Sequence, residues 1–421
     1  MAFDTAVSGI NAATADLGVI GNNIANSSTT GFKTSRAEFA DVYATSLLGS
    51  GGNAIGKGVS LTSVTQEFTQ GNISFTNNAL DLAINGSGFF LLSDDGAAVY
   101  TRAGNFQVDR EGFLVTNQGH KLQAFQVNAN GDVNGQAADL QLSTALIDPG
   151  PTGLATLVAN LDSREIEPPI PFGGPFDAFA VPPTVPDADS YNATTSATVF
   201  DTLGNAHIMS LYFVKSATPN EWDVHTTIDG VTTSGPDTIT FQSNGQFDPG
   251  TLPIELNITG WNPLNENGGA SGADVQDFTI SLSQFTQFGS DFSVSSVQQD
   301  GFTTGQLLGL DIDDTGMVFA RYTNGQGRAL GQIALAGFSN ANGLQPLGDT
   351  NWAETFSSGA PTLSAPGSSG LGVLQSGALE GSNVDITQQL VNMIIAQRNF
   401  QANAQVIQTE DTVTQTVINL R

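Results

Sequence analysis

The chain has no cysteine, which excludes disulfides, thiolate metal sites and cysteine nucleophiles. It has no apolar run of about eighteen residues, so no membrane-spanning helix is expected. The opening residues, MAFDTAVSGINAA, have neither a basic n-region nor an apolar h-region, so a cleavable secretory signal is not expected either. Basic residues are scarce: 12 Lys and Arg stand against 40 Asp and Glu, for a formal charge of −28. Between residues 146 and 296, eighteen acids face only Arg164 and Lys215, a net of −16. Polyanions are held by clustered Lys and Arg, so nucleic acid is not an expected partner. The excess charge reads as a solvated, self-repelling surface. Proline is missing from the first 148 residues, whereas fourteen of the 17 prolines lie between Pro149 and Pro263. That shift marks 147–295 as an inserted domain, and EPPIPFGGPFDAFAVPPTVPDAD, from Glu167, as a long irregular loop.

What is present sits at the two ends. Phe3, Ala6, Ile10, Ala13, Leu17, Ile20 and Ile24 recur at alternating spacings of three and four, the seam of a coiled coil. A second register runs through Ile386, Leu390, Met393, Phe400, Ala404, Ile407 and Ile418, with Ile394 beside it, and is weakened by Gln397, Asp411 and Thr414. Asp385 with Gln388 forms a capping pair before a segment that has neither Gly nor Pro after Gly381. The N-terminal helix is weaker, because Gly9, Gly18 and Gly21 each cost roughly 1 kcal/mol relative to Ala. A narrow stripe has little to bury alone, so these helices are expected to gain order on assembly.

Between the ends, short β-rich runs such as GFFLLS and ATVF are punctuated by seven Asn-Gly and three Asp-Gly pairs, which tolerate the positive φ of tight hairpin turns. This density predicts antiparallel sheets, sandwich or barrel, and not alternating βαβ units. GSGGNAIGKG from Gly49 and SSGAPTLSAPGSSGLG from Ser357 read as flexible joints. The expected architecture is multidomain and mainly β, with paired coiled-coil termini and one β domain inserted in another. Its divisions are 1–30 with 380–421 as the terminal helices, 31–70 with 356–379 as connectors, 71–146 with 296–355 as an inner β domain, and 147–295 as an outer one.

No catalytic or metal-binding signature stands out. Gly51, Gly56 and Lys57 mimic a phosphate loop, but Gly58 occupies the position where Ser or Thr would hold magnesium. DIDDTG from Asp311 opens like a calcium loop, yet its twelfth position is Tyr322 and not Glu, so a turn at Thr315-Gly316 between two strands is expected. His120, His207 and His225 are far apart in sequence and follow no ligand spacing. No enzyme activity, cofactor or metal is expected.

NNIANSSTTGFKTSRAEFADVY, from Asn22, closely resembles the N-terminal signature of the bacterial flagellar rod and hook family, in which Asn23, Ile24, Ala25, Asn26, Thr29, Gly31, Phe32 and Lys33 match the core. LEGSNVDITQQLVNMIIAQRNFQANAQVIQTED, from Leu379, resembles that family's C-terminal segment, with Asn383, Asp385 and Arg398 among the matches. Inside, GNISFTNNALDLAINGSGFFLL and YTRAGNFQVDREGFLV resemble the family's shared β domain. ATVFDTLGNAHIMSLYFVK, Ala197 to Lys215, resembles the extra outer domain of hook-type members. The resemblance implies a structural subunit of the flagellar hook that self-assembles into a hollow flexible tube carrying torque from rod to filament. It implies export by the flagellar type III apparatus to an extracellular position at the basal body and hook, without membrane insertion. The implied partners are further copies of the chain and the distal rod, hook cap and hook-filament junction proteins. Arg398, beside the seam, makes either a salt bridge across subunits or a solvated helix face. A distal rod or junction member would share the ends, although the 147–295 insertion argues against the rod. An acidic adhesin or a phage-tail-like β protein would account for the middle but not for paired terminal heptads.

Overall fold

The computed structural model describes residues 2–42, 56–128, 132–143, 145–248 and 255–419. Gly51 of the phosphate-loop mimic lies outside them. The chain divides into two compact units: Met1–Thr144, Leu308–Arg321 and Gly327–Arg421 form the first, and Ala145–Leu307 with Tyr322–Gln326 form the second.

In the first unit, helix α1 (Ala2–Ala25) packs against helix α2 (Ile386–Asn419). Asp385 caps α2, its Oδ1 accepting from the backbone N–H groups of Thr387 and Gln388 at 2.8 and 3.1 Å. Only this half of the expected capping box forms, because Gln388 turns forward to donate to Asn392 Oδ1 instead. At 34 residues, α2 runs about 50 Å.

The apolar run Phe89–Asp94 is a strand buried on both faces. Phe90 and Leu92 enter one core with Leu82, Ile84, Leu122 and Ile333, while Phe89 and Leu91 enter another with Tyr100, Phe125 and Trp352. Burial on both faces accounts for a continuous apolar sequence in place of alternation. The stretches expected to be flexible joints are tied into the unit where they are described. Ser35–Asp41 and Val59–Gln66 pair as an antiparallel hairpin, whose Gln66 accepts from Trp352 Nε1 at 2.6 Å. Thr362–Ser364 pairs with Leu335–Gly337, and Val373–Ser376 with Leu82–Asn85. Small residues here serve close packing: a Cβ at Gly372 would lie 2.4 Å from the Asn85 carbonyl oxygen.

The second unit is a sandwich. A four-stranded antiparallel sheet (Ala193–Phe200, Ala206–Lys215, Glu221–Ile228, Val231–Thr240) shares one core with a five-stranded sheet through Leu211, Phe213, Trp222, Leu161, Ile258 and Ile280. AHIMSLYFVK alternates strictly, sending His207, Met209, Leu211, Phe213 and Lys215 inward. Antiparallel pairs dominate as expected, with one strand of this unit also pairing parallel. The strand Leu154–Asp162 lies parallel to Gln276–Ser281 and Thr286–Phe288, a pairing that the long intervening chain permits. Bridges from Ile147 to Gly305 and from Gly150 to Phe302 bring the start and end of this unit together.

Asp95-Gly96 and Asp229-Gly230 are two-residue hairpin turns with positive φ at both positions. In Asn85-Gly86, Asn244-Gly245, Asn267-Gly268 and Asn324-Gly325, only the glycine is left-handed. Asp311 and Arg321 form an ion pair, and Asp313 organises the Thr315-Gly316 turn by accepting from Met317 N at 2.9 Å. The calcium-like segment is therefore a β-turn between two strands. The proline-rich loop lies against the four-stranded sheet. Phe172 stacks on His225 at 4.2 Å, and Phe176 accepts from the Thr232 backbone N–H at 3.0 Å while donating its own N–H to the Thr232 hydroxyl at 2.8 Å.

Candidate self-assembly site

The site is built where the chain's two ends meet, and the matched signature residues assemble it. Asn23, 1 % exposed near the end of α1, grips the backbone of Ser35, donating to its carbonyl at 2.7 Å and accepting from its N–H at 2.9 Å. Asn26 closes the helix end, donating to Asn22 O and accepting from the Thr29 hydroxyl. Gly31 then takes φ +69° and donates its N–H to the Glu380 carbonyl at 2.8 Å. A Cβ there would lie 2.6 Å from the Ala103 backbone nitrogen, so no side chain fits. Gly31→Ala is expected to cost about 1–2 kcal/mol in conformation alone, with the backbone clash added. A first-unit melting temperature unchanged from the parent would contradict this.

Lys33 and Glu380 are wholly buried and meet at 2.6 Å. Glu380 also accepts from Arg102 Nη1 at 3.1 Å and from Gly71 N at 2.8 Å. Lys33 donates to Thr69 O at 2.7 Å, and Arg102 to Gly86 O at 2.8 Å. Burial pulls the Lys33 ammonium and the Arg102 guanidinium below their ordinary values, and the Glu380 carboxylate opposes this in both cases. Asn383 completes the joint, accepting from Thr34 N and donating to Glu67 O, both at 2.7 Å. N-terminal helix, hairpin, β body and C-terminal helix are thus held by one polar cluster. Nothing in the sequence singles out Arg102 or Glu380, since each is one of several charges in a segment that matches the family.

The seam residues divide between the inside and outside of the helix pair. Ala6, Ala13 and Ile20, spaced by seven, are buried; Ile10, Leu17 and Ile24 are half-buried; Phe3 is 51 % exposed. Gly9 is a contact point, since a Cβ there would lie 2.5 Å from Asn403 Oδ1. On α2, Ala396 is buried, Met393, Ala404 and Ile407 are half-buried, and Ile386, Leu390, Val391, Ile394, Ile395 and Phe400 are exposed. An apolar stripe about three turns long is left uncovered on α2. Ile418 is also exposed, as is Arg398, which makes no ion pair among the described residues.

A second buried polar constellation lies in the other unit. His207 meets Asp229 through Nδ1 at 2.6 Å and Asp201 through Nε2 at 3.4 Å, so both ring nitrogens face carboxylates and neither is free to act as a base. The hydrogen bond to Asp229 raises the imidazole, burial opposes, and the charge of Asp229 and the bond to Asp201 add to the rise. Burial pushes the Asp201 carboxyl up, but its bonds from Asn205, His207 and Leu203 hold it below its ordinary value. A raised histidine stabilises the fold fully below its unfolded value near 6.5, and that stability is lost as pH rises through the folded value. The melting temperature of the second unit is therefore expected to fall as pH is raised from about 6, by about 2–4 °C for each kcal/mol lost. His207→Gln should flatten that dependence in calorimetry, and an equally steep pH profile in the variant would refute the assignment.

Family models match four stretches of the chain: flagella basal body rod protein over 3–33, the flagellar hook protein FlgE/F/G D1 domain over 83–147, the flagellar basal body protein FlaE D2 domain over 160–302, and the flagellar basal body rod FlgEFG protein C-terminal region over 375–420. The flagellar hook protein FlgE of Escherichia coli (strain K12) is 40 % identical over 429 residues, covering 100 % of both chains. That of Borreliella burgdorferi is 33 % identical over 453 residues, covering 99 % of this chain and 98 % of its own. The crystal structure of Helicobacter pylori flagellar hook protein FlgE2 superposes with a TM-score of 0.51 at 15 % identity, covering 73 % of this chain and 100 % of that one, a likeness of fold. The chain therefore belongs to the flagellar hook protein family and is a structural subunit of the bacterial flagellar hook.

Proposed function

We propose that the terminal helices, 1–30 with 380–421, form the wall of a hollow helical polymer. The inner β domain, 71–146 with 296–355, and the outer domain, 147–295, then lie progressively further from its axis. The observation that carries this is the uncovered stripe Ile386, Leu390, Val391, Ile394 and Ile395 on α2. Monomers seldom leave so continuous an apolar surface without a partner. Phe3, Ile10, Leu17, Ile24, Met393, Phe400 and Ile407 would complete the packing between neighbours, and Ile20 the packing within each pair. A bending tube shortens on one side and lengthens on the other at each turn. Solvated outer domains carrying a net of −16 between residues 146 and 296 slide without breaking the inner wall. The same ends would dock on the distal rod, hook cap and hook-filament junction proteins, after passage through the flagellar type III export apparatus.

Electron microscopy after salt-induced polymerisation tests the reading, with hollow tubes expected. Replacing 148–304 by a short turn across the Ile147–Gly305 bridge should give thinner tubes. Tubes of unchanged diameter would show that the outer domain is not outermost.

A further inference from the structure

The Lys33, Arg102 and Glu380 cluster holds two basic groups against one carboxylate, an excess of one positive charge when all three are ionised. Arg102 is 3 % exposed, and its Nε is buried with no hydrogen-bond partner among the described residues. The same side chain lines a cavity of about 420 Å³, whose other walls include Phe68, Phe89, Phe338, Leu371 and the Ser339 edge. Arg102 is the one charged group in that lining among the described residues, and its guanidinium lies 5.5 Å from the Phe89 ring centroid. An aromatic cage with a buried, under-partnered cation suits an apolar side chain next to a carboxylate.

The chain displays such a segment. Ile166 is 78 % exposed between Glu165 and Glu167. Asn192 holds it in place, donating to the Ile166 carbonyl at 2.9 Å and to the Glu165 carboxylate at 3.1 Å, and Pro168-Pro169 stiffens the chain after it. Resting on the reading of the chain as a polymer subunit, we propose that Ile166 of a second copy enters the Phe68, Phe89 and Phe338 cavity, and that a flanking glutamate faces Arg102. Cavity and knob are different surfaces, so the contact is heterologous, the kind that propagates into open helical arrays.

The absence of cysteine makes the test direct. One full-length chain carries Ser339→Cys, another Glu165→Cys, and the two are mixed, polymerised and oxidised. A disulfide-linked pair of the two chains is expected in tubes and not in unpolymerised protein. Adding Ile166→Asp to the Glu165→Cys chain should lower the linked fraction at least tenfold. Ser87→Cys with Ser163→Cys serves as a second pair should either first site perturb folding. Tubes without a link from either pair overturn the contact and leave the hook reading standing. A parent chain that forms no tubes overturns both.

Discussion

Ile394→Asp is expected to abolish tube formation while leaving the free chain folded. Ile394 is 50 % exposed in the isolated subunit, so a charge there stays in water and should change stability by no more than about 0.5 kcal/mol. In a polymer the same carboxylate would be buried without a partner, at a cost of several kcal/mol, in every repeated contact. Ile20→Asp is the informative contrast. Ile20 is 4 % exposed within the helix pair, so its substitution should loosen the helices before any assembly. Circular dichroism of the two monomers and microscopy after salt addition separate the cases. Tubes formed by the Ile394→Asp variant would place the α2 stripe outside the subunit interface.

Much of this arrangement could be read from local sequence, because it depends on local chemistry. The 3–4 spacing at both ends, the Asp385 cap and the two Asp-Gly hairpin turns each act within a few residues. Other features could not be found that way. Lys33 and Glu380 are 347 residues apart in the chain, and Arg102 and Glu380 are 278 apart, so no spacing rule brings them together. A charge in a polar sequence also reads as solvated by default. The hairpin Ser35–Asp41 with Val59–Gln66 was hidden by the Gly-rich stretch between its strands, and its anchors, Asn23 on Ser35 and Trp352 donating to Gln66, come from distant parts of the chain. Heptads gave the direction of the helix faces but not which face a partner already covers. Ala6, Ala13 and Ile20 turn inward, and the larger residues of α2 remain outside.

Glu380→Gln should be the most damaging single substitution in the joint. It keeps the shape of the side chain but leaves Lys33 and Arg102 buried with no counter-charge, a loss of about 3–5 kcal/mol for breaking a buried pair. At about 2–4 °C per kcal/mol, the melting temperature of the first unit should drop by about 6–20 °C. Lys33→Met should cost less. It removes the excess charge and leaves Arg102 paired with Glu380, with Thr69 O losing one donor. The double variant should then be more stable than Glu380→Gln alone, since a methionine no longer needs the lost carboxylate. Such non-additivity is the signature of groups that share one partner. Calorimetry of the four proteins at one pH provides the test. If Lys33→Met and Glu380→Gln are equally damaging and their effects simply add, the two basic groups do not compete for Glu380, and the joint is held by its backbone hydrogen bonds and by Asn23 and Asn383.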